Sequence, residues 1–291
     1  MNDDLRMVYE SRNRAECSDR ALVLTAAGIP FQIVDDYASC ALLVPAEFSA
    51  QAMDEIIQYD DENPPPVAIK TEPLVSHNAI PGLVGYAFII CAVAIIADFA
   101  PFASDWYTSG RVDGVLIRAG EWWRTITAQT LHADLEHLIG NLAFGIMFGF
   151  FAGRLLGSGV AWFSIVVAAA TGNVLNTLLL ESTHRAVGAS TAVFAALGLV
   201  AGFVWRGKLM AQDRWPYRIG PIVGGFALLM YTGTGGERTD IGAHLMGFLC
   251  GLIAGMLLVA VRQRLPEQRL QIAAGLAALA LIIGAWAAAI M

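Results

Sequence analysis

Asp240-Ile-Gly-Ala-His244-Leu-Met-Gly247-Phe-Leu-Cys250-Gly251-Leu-Ile-Ala-Gly255 opens a run that stays apolar to residue 261. A helix rising about 1.5 Å per residue crosses the ~30 Å hydrocarbon core in about 20 residues, so residues 240–261 suffice for one crossing. Two features stand out against that apolar background. An imidazole, His244, sits at the head of the span, and ionisable groups inside a membrane are costly and mark function. Below it, Gly247, Gly251 and Gly255 recur every fourth residue, a small-xxx-small row that admits a second helix at close range.

Working outward, runs of comparable apolarity appear at residues 80–103, 137–157, 159–180, 188–206, 217–232 and 270–290, which predicts seven spans with the fifth shortest. Composition agrees: 56% of residues are apolar, 15% are charged and mean hydropathy is +0.58. A soluble domain carries about 25% charged residues, so a single water-soluble globule and a disordered chain are both excluded. Between the first two spans lies a stretch too polar to cross, residues 104–136, whose Trp106, Trp122 and Trp123 suit a membrane interface.

Charge divides the chain. Residues 1–70 hold 13 acidic against 5 basic side chains, residues 71–291 hold 12 against 13, and the whole carries −7. An acidic balance argues against nucleic-acid partners. The first region reads as a small soluble α/β domain in the order β-α-β-β-α, with strands near 7–10, 31–34 and 40–44 and helices at 15–27 and 48–58, a ferredoxin-like half. It also resembles the small signal-transducing-protein domains, which implies a module for a cytoplasmic partner. The predicted domains are 1–60 for this unit, 61–79 for a Pro-rich linker, 80–261 for a six-helix core, and 262–291 for a cytoplasmic loop with an additional span. The four cysteines form no CxxC pair and no metal-ligand spacing. No basic, apolar leader opens the chain.

Orientation follows from the basic residues. Arg154 lies near the second-to-third turn; Arg206, Lys208, Arg214 and Arg218 lie between spans four and five; Arg262, Arg264 and Arg269 lie between six and seven. The positive-inside rule puts these on the cytoplasmic side, with the amino terminus inside and the carboxyl terminus outside an inner membrane. Spans two, four and six then all begin on the outer side. Span two opens with His137 and Asn141, which share a helix face; span four opens with Gly188-Ala189-Ser190-Thr191; span six opens with His244. A hydroxyl and two imidazoles entering at one depth suit nucleophilic catalysis. His244 can take the serine proton, while His137, Asn141 and the Ser190 amide can donate to an oxyanion. Span four offers Ala192, Ala196 and nearby Ala195 to meet the glycine row of span six.

Glu121-Trp122-Trp123-Arg124, His132-x4-His137-x3-Asn141, Gly188-Ala189-Ser190 and Ala243-His244-x2-Gly247-x3-Gly251, in this order, resemble the rhomboid family of intramembrane serine proteases. The resemblance covers about residues 80–261. It implies a polytopic α-helical membrane protein with a six-helix core plus one C-terminal transmembrane helix. It further implies Ser190 as nucleophile, His244 as base and His137 and Asn141 as oxyanion donors. Gly188, Phe194, Gly247 and Gly251 would support them, with Trp123 and Arg124 in a membrane-embedded first loop. Single-span or multi-span membrane proteins are the implied substrates and the lipid bilayer the implied surroundings; no cofactor or metal is expected.

Two departures are visible. Thr191 replaces the glycine usual after the serine, which predicts crowding of the turn that presents Ser190. Phe194 replaces a tyrosine and keeps its ring. Thr191 also supports an alternative, a catalytically inactive relative that binds transmembrane clients. His132 reads as hydrogen-bonded within the first loop and His184 as a solvated loop residue. Gly233-Thr-Gly235-Gly236 reads as a flexible outer turn.

Overall fold

The computed structural model describes residues 4–35, 39–64, 77–99, 105–179, 184–207, 219–220, 222–227, 230 and 240–291. Its contacts separate two units, Met1–Lys70 and Thr71–Met291. In the first, β-propensity and period-two alternation give β1 (Leu5–Ser11), β2 (Gln32–Asp35) and β3 (Cys40–Pro45). They form an antiparallel sheet in the order β1-β3-β2. The central strand β3 turns Cys40, Leu42 and Val44 inward and packs them against α1 (Arg14–Ala26) and α2 (Ser49–Glu62). Asn13 caps α1 by accepting the Ala15 amide, and Gly28, at φ +69°, makes the turn out of it. The order is the one the sequence predicts, β-α-β-β-α.

The second unit contains six helices long and apolar enough to cross a membrane among the described residues. We label them α3 (Ile80–Phe99), α4 (Leu135–Leu156), α5 (Ser158–Leu179), α6 (Ser190–Gly207), α7 (Ile241–Leu258, continued by a 3₁₀ turn to Arg264) and α8 (Gln268–Ile290). They correspond to six of the seven predicted spans; the predicted fifth, 217–232, lies partly outside the described residues, and the turn at 233–236 lies wholly outside them. The chain is a polytopic α-helical membrane protein with a small α/β unit ahead of its helices.

Helix α6 is the hub, the most buried of the six, and α8 is the most exposed. Close approach sets its pairing with α7. A Cβ placed on Gly247, Gly251 or Gly255 would stand 2.4, 2.1 or 2.2 Å from the carbonyl oxygens of Thr191, Ala195 and Leu199. Gly198 and Gly202 of α6 press equally on Phe248 and Leu252 of α7. Both partner series ascend together, so α6 and α7 are parallel and begin on the same side. On the far side, Gly145, Gly149 and Gly153 of α4 receive Tyr86, Trp162 and Ala79.

The stretch between α3 and α4 folds as short helical turns, Trp106–Gly110, Gly114–Arg118 and Arg124–Thr127. Arg124 is buried at its centre, donating to the Glu121 carboxylate and to the Thr108 and Arg111 carbonyls. Trp123 precedes it and packs toward Ile126, Val166 and Ala285. Helix α8 clamps this loop from outside: Trp286 Nε1 donates to Thr130 Oγ1 at 3.1 Å and its ring lies 4.5 Å from that of Trp106.

Candidate active site

The first turns of α4, α6 and α7 converge on one cavity. The segment leading to Ser190 is held on both sides by the first loop. Its strand β5 (Arg185–Ala186) pairs with β4 (Val112–Asp113), and further on the Gly188 amide donates to the Ala128 carbonyl at 2.9 Å. Gly188 takes φ +135°, a region glycine alone enters cheaply, and this turn presents Ser190 at the first position of α6.

Opposite Gly188 stand the two polar residues of α4. A Cβ on Gly188 would lie 2.7 Å from His137 Nε2 and 3.7 Å from Asn141 Nδ2, so both nitrogens face one small space. Asn141 Nδ2 is buried with no hydrogen-bond partner among the described residues. An orphaned buried donor costs about 1–3 kcal/mol, a cost retained where function requires the donor to be available. The surroundings hold it in place: Tyr86 Oη donates to the Asn141 carbonyl at 2.8 Å, and Asp134 caps α4 by accepting the His137 amide at 2.8 Å.

His244 is buried in the first turn of α7, its ring centroid 4.5 Å from that of Phe194. Both aromatic rings, Ser190, His137, Asn141 and Gly188 line a single cavity of about 1320 Å³. The residues singled out in the sequence therefore meet in one place. Gly247 and Gly251 act through the α6–α7 approach, and Trp123 and Arg124 act in the first loop, away from the cavity wall.

Three expectations change. Thr191 does not crowd the turn. It is buried, its Oγ1 donates to Asn173 Oδ1 at 3.0 Å, and its methyl group occupies the space that the missing Gly247 side chain leaves. His132 contributes to the first loop through its backbone carbonyl, which accepts from Tyr107 Oη at 2.9 Å; its ring lies edge-on to His137. Burial pushes that imidazole down to about 4, with the neighbouring His137 acting in the same direction.

His184 is not a solvated loop residue. Its Nε2 lies 2.6 Å from Asp240 Oδ2, with the two side chains only 22% and 15% exposed. The hydrogen bond to Asp240 raises the His184 pKa, burial opposing it. Burial alone would raise the Asp240 carboxyl, yet His184, the Ala243 amide and Asn176 hold it below the usual range. Asp240, Asn173 and Asn176 are the polar residues that sequence reasoning missed. The signal was faint: two asparagines three apart on one face of an otherwise apolar span.

Comparison with known proteins falls on this same stretch. The family model described as the Rhomboid domain matches residues 119–261. Rhomboid-like protease 1 of Toxoplasma gondii is 32% identical over 145 residues, 49% of each chain. The rhomboid YdcA of Bacillus subtilis is 32% identical over 148 residues, 50% of this chain and 71% of that one. Rhomboid protease GluP of the same bacterium is 29% identical over 136 residues, 44% of this chain and 26% of its own. The chain thus spans about half the length of the Toxoplasma relative.

Proposed function

The chain belongs to the rhomboid family, and from that premise we propose that it is an intramembrane serine protease working through Ser190 and His244. Ser190 Oγ attacks a peptide carbonyl as His244 accepts its proton. The carbonyl oxygen gains negative charge and takes hydrogen bonds from His137, Asn141 and the Ser190 amide. His244 returns the proton to the leaving amine, the C–N bond breaks, and an acyl-enzyme stays on Ser190. A water entering the cavity, deprotonated by His244, then hydrolyses the ester and restores the hydroxyl.

The observation that carries this reading is the orphaned Asn141 Nδ2 converging with His137 Nε2 on the turn before Ser190, in the cavity that His244 also lines. The competing reading, an inactive client-binder, rests on Thr191; against it stands the burial of Thr191 with its Oγ1 donating to Asn173 Oδ1.

The parallel start of α6 and α7 fits the orientation inferred from Arg154, Arg206 and Arg262. The site then opens on the outer face of an inner membrane, the acidic N-terminal domain is cytoplasmic, and transmembrane substrates are cut near their outer ends. Residues 1–60 serve as an accessory module for a cytoplasmic partner, 61–79 as linker, 80–261 as the protease core and 262–291 as an added helix.

The test is cleavage of a single-span reporter by the wild type and Ser190→Ala in liposomes, with mass spectrometry of the product. The reading expects one cut near the reporter's outer boundary and a loss of at least about 10⁴-fold in Ser190→Ala. Comparable cleavage by both would refute it.

A further inference from the structure

We propose that His184 and Asp240 form a latch that fixes the Ser190 loop to the start of the His244 helix, making both positioning residues for the reaction proposed above, on which this inference rests. Three connections meet at His184. Its carbonyl accepts the Gly114 amide of the first loop at 3.0 Å, Arg185 beside it pairs with Asp113 at 3.0 Å, and its ring reaches Asp240 at 2.6 Å. Six residues on from His184 stands Ser190.

Asp240 is the other half. It caps α7, its Oδ1 accepting the Ala243 amide at 2.9 Å while its carbonyl accepts the His244 amide at 3.1 Å. Asn176 Nδ2 donates to both carboxylate oxygens at 3.1 Å, tying the same group to α5. The glycine-lined α6–α7 contact fixes the two helices below the site. It reaches up to Thr191 in the first turn of α6, and the latch holds from above the segments that lead into Ser190 and His244. A partly shielded ion pair holds geometry better than an exposed one, because solvent neither screens nor replaces it. Reaction rate is steep in such geometry: about 1 Å of misplacement can cost about 10²-fold.

The latch is charged only while His184 is protonated. Its pKa is raised above the ordinary imidazole value, so the attraction is complete below about pH 6.5 and fades as pH rises through that elevated value. Other titratable or charged groups border the same cavity: Tyr107 and Arg111 from the first loop, Asp134, Glu136 and His137 from the start of α4, Arg185 beside His184, and His244 itself. Comparing variants that leave these unchanged isolates the contribution of His184.

The experiment measures reporter cleavage and labelling of Ser190 by a fluorophosphonate in full-length protein in liposomes, from pH 6 to 9.5. Wild type, His184→Gln, Asp240→Asn and the double variant are compared. Asparagine caps a helix as well as aspartate does, so Asp240→Asn removes charge while keeping the fold. Each single variant is expected to lower kcat about tenfold with KM changed less than about twofold, and to abolish the alkaline fall in rate. The double variant should be no slower than either single one.

Wild-type rates and pH profile in both single variants would overturn the latch alone. So would losses that track a lowered unfolding temperature while the alkaline limb persists. Failure of the wild type itself to label would overturn the protease reading and the latch with it.

Discussion

The described residues of the N-terminal unit bury Leu24, Leu42 and Val44 and no charged side chain fully, whereas the second unit buries Arg124, Gln129, Asn141, Asn173 and His244 and turns Phe88, Phe99, Leu257 and Leu276 outward. Opposite solvents produce opposite rules. In water, burial of apolar area drives folding and an interior made of it carries little functional information. In lipid that driving force between helices vanishes, and packing and hydrogen bonds hold the unit together. A buried polar group there is expensive to insert, so each one has a use. Among the described residues the N-terminal unit has no buried polar or charged side chain; the membrane unit has thirteen, and several of them wall the cavity.

Glycine packing gives the sharpest way to break this contrast. Gly251→Leu would drive a side chain into the Ala195 carbonyl, 2.1 Å from even a Cβ, and should cost about 3 kcal/mol or more and end cleavage. Gly284→Ala in α8, with open space around its Cβ and no place in the cavity wall, should leave both unfolding and cleavage intact. Calorimetry of the two in one detergent decides whether close approach or glycine content matters.

Next in size, Leu42→Ala in the fully buried centre of β3 should cost about 3 kcal/mol, lowering the unfolding of the N-terminal unit without changing reporter cleavage. Equal loss of both would mean the two units unfold as one.

His132 offers a pH handle on the membrane unit. Its buried imidazole titrates near 4 instead of 6.5, so the native state binds fewer protons than the unfolded chain between those values. Stability should be complete above about pH 6.5 and fall by about 2 kcal/mol at pH 5. His132→Asn should flatten that slope in a pH series of unfolding temperatures. Smallest is Thr191→Val, which strands Asn173 Oδ1 and should cost about 1 kcal/mol with cleavage retained.

The same contrast explains what the sequence discloses. Apolar runs of membrane length mark six helices directly, and His137, Asn141, Ser190 and His244 stand out because each is polar at the head of such a run. Alternation in residues 40–45 likewise exposes the buried face of β3. What stays hidden is pairing across the chain. His184 reads as solvated because Asp240 lies 56 positions away and no local spacing connects them. Thr191 reads as a clash because its hydrogen-bond partner sits on another helix, at Asn173. Of the α6 face read from Ala192, Ala196 and nearby Ala195, Ala195 meets the glycine row of α7, and Gly198 and Gly202, which local spacing does not single out, complete the close contacts because helix rotation is set by the partner. Trp286 reads as part of an appended span, and its grip on Thr130 across 156 residues leaves no trace in local composition.

The central claim is that Ser190 is a nucleophile activated by His244. Its most direct test is the mass of the Ser190 peptide after exposure of folded, full-length protein to a fluorophosphonate, beside His244→Ala treated in the same way. The account predicts a phosphonyl adduct on Ser190 in the wild type and little or none in the variant. An unmodified Ser190 in folded wild type, or equal modification in both proteins, would contradict it.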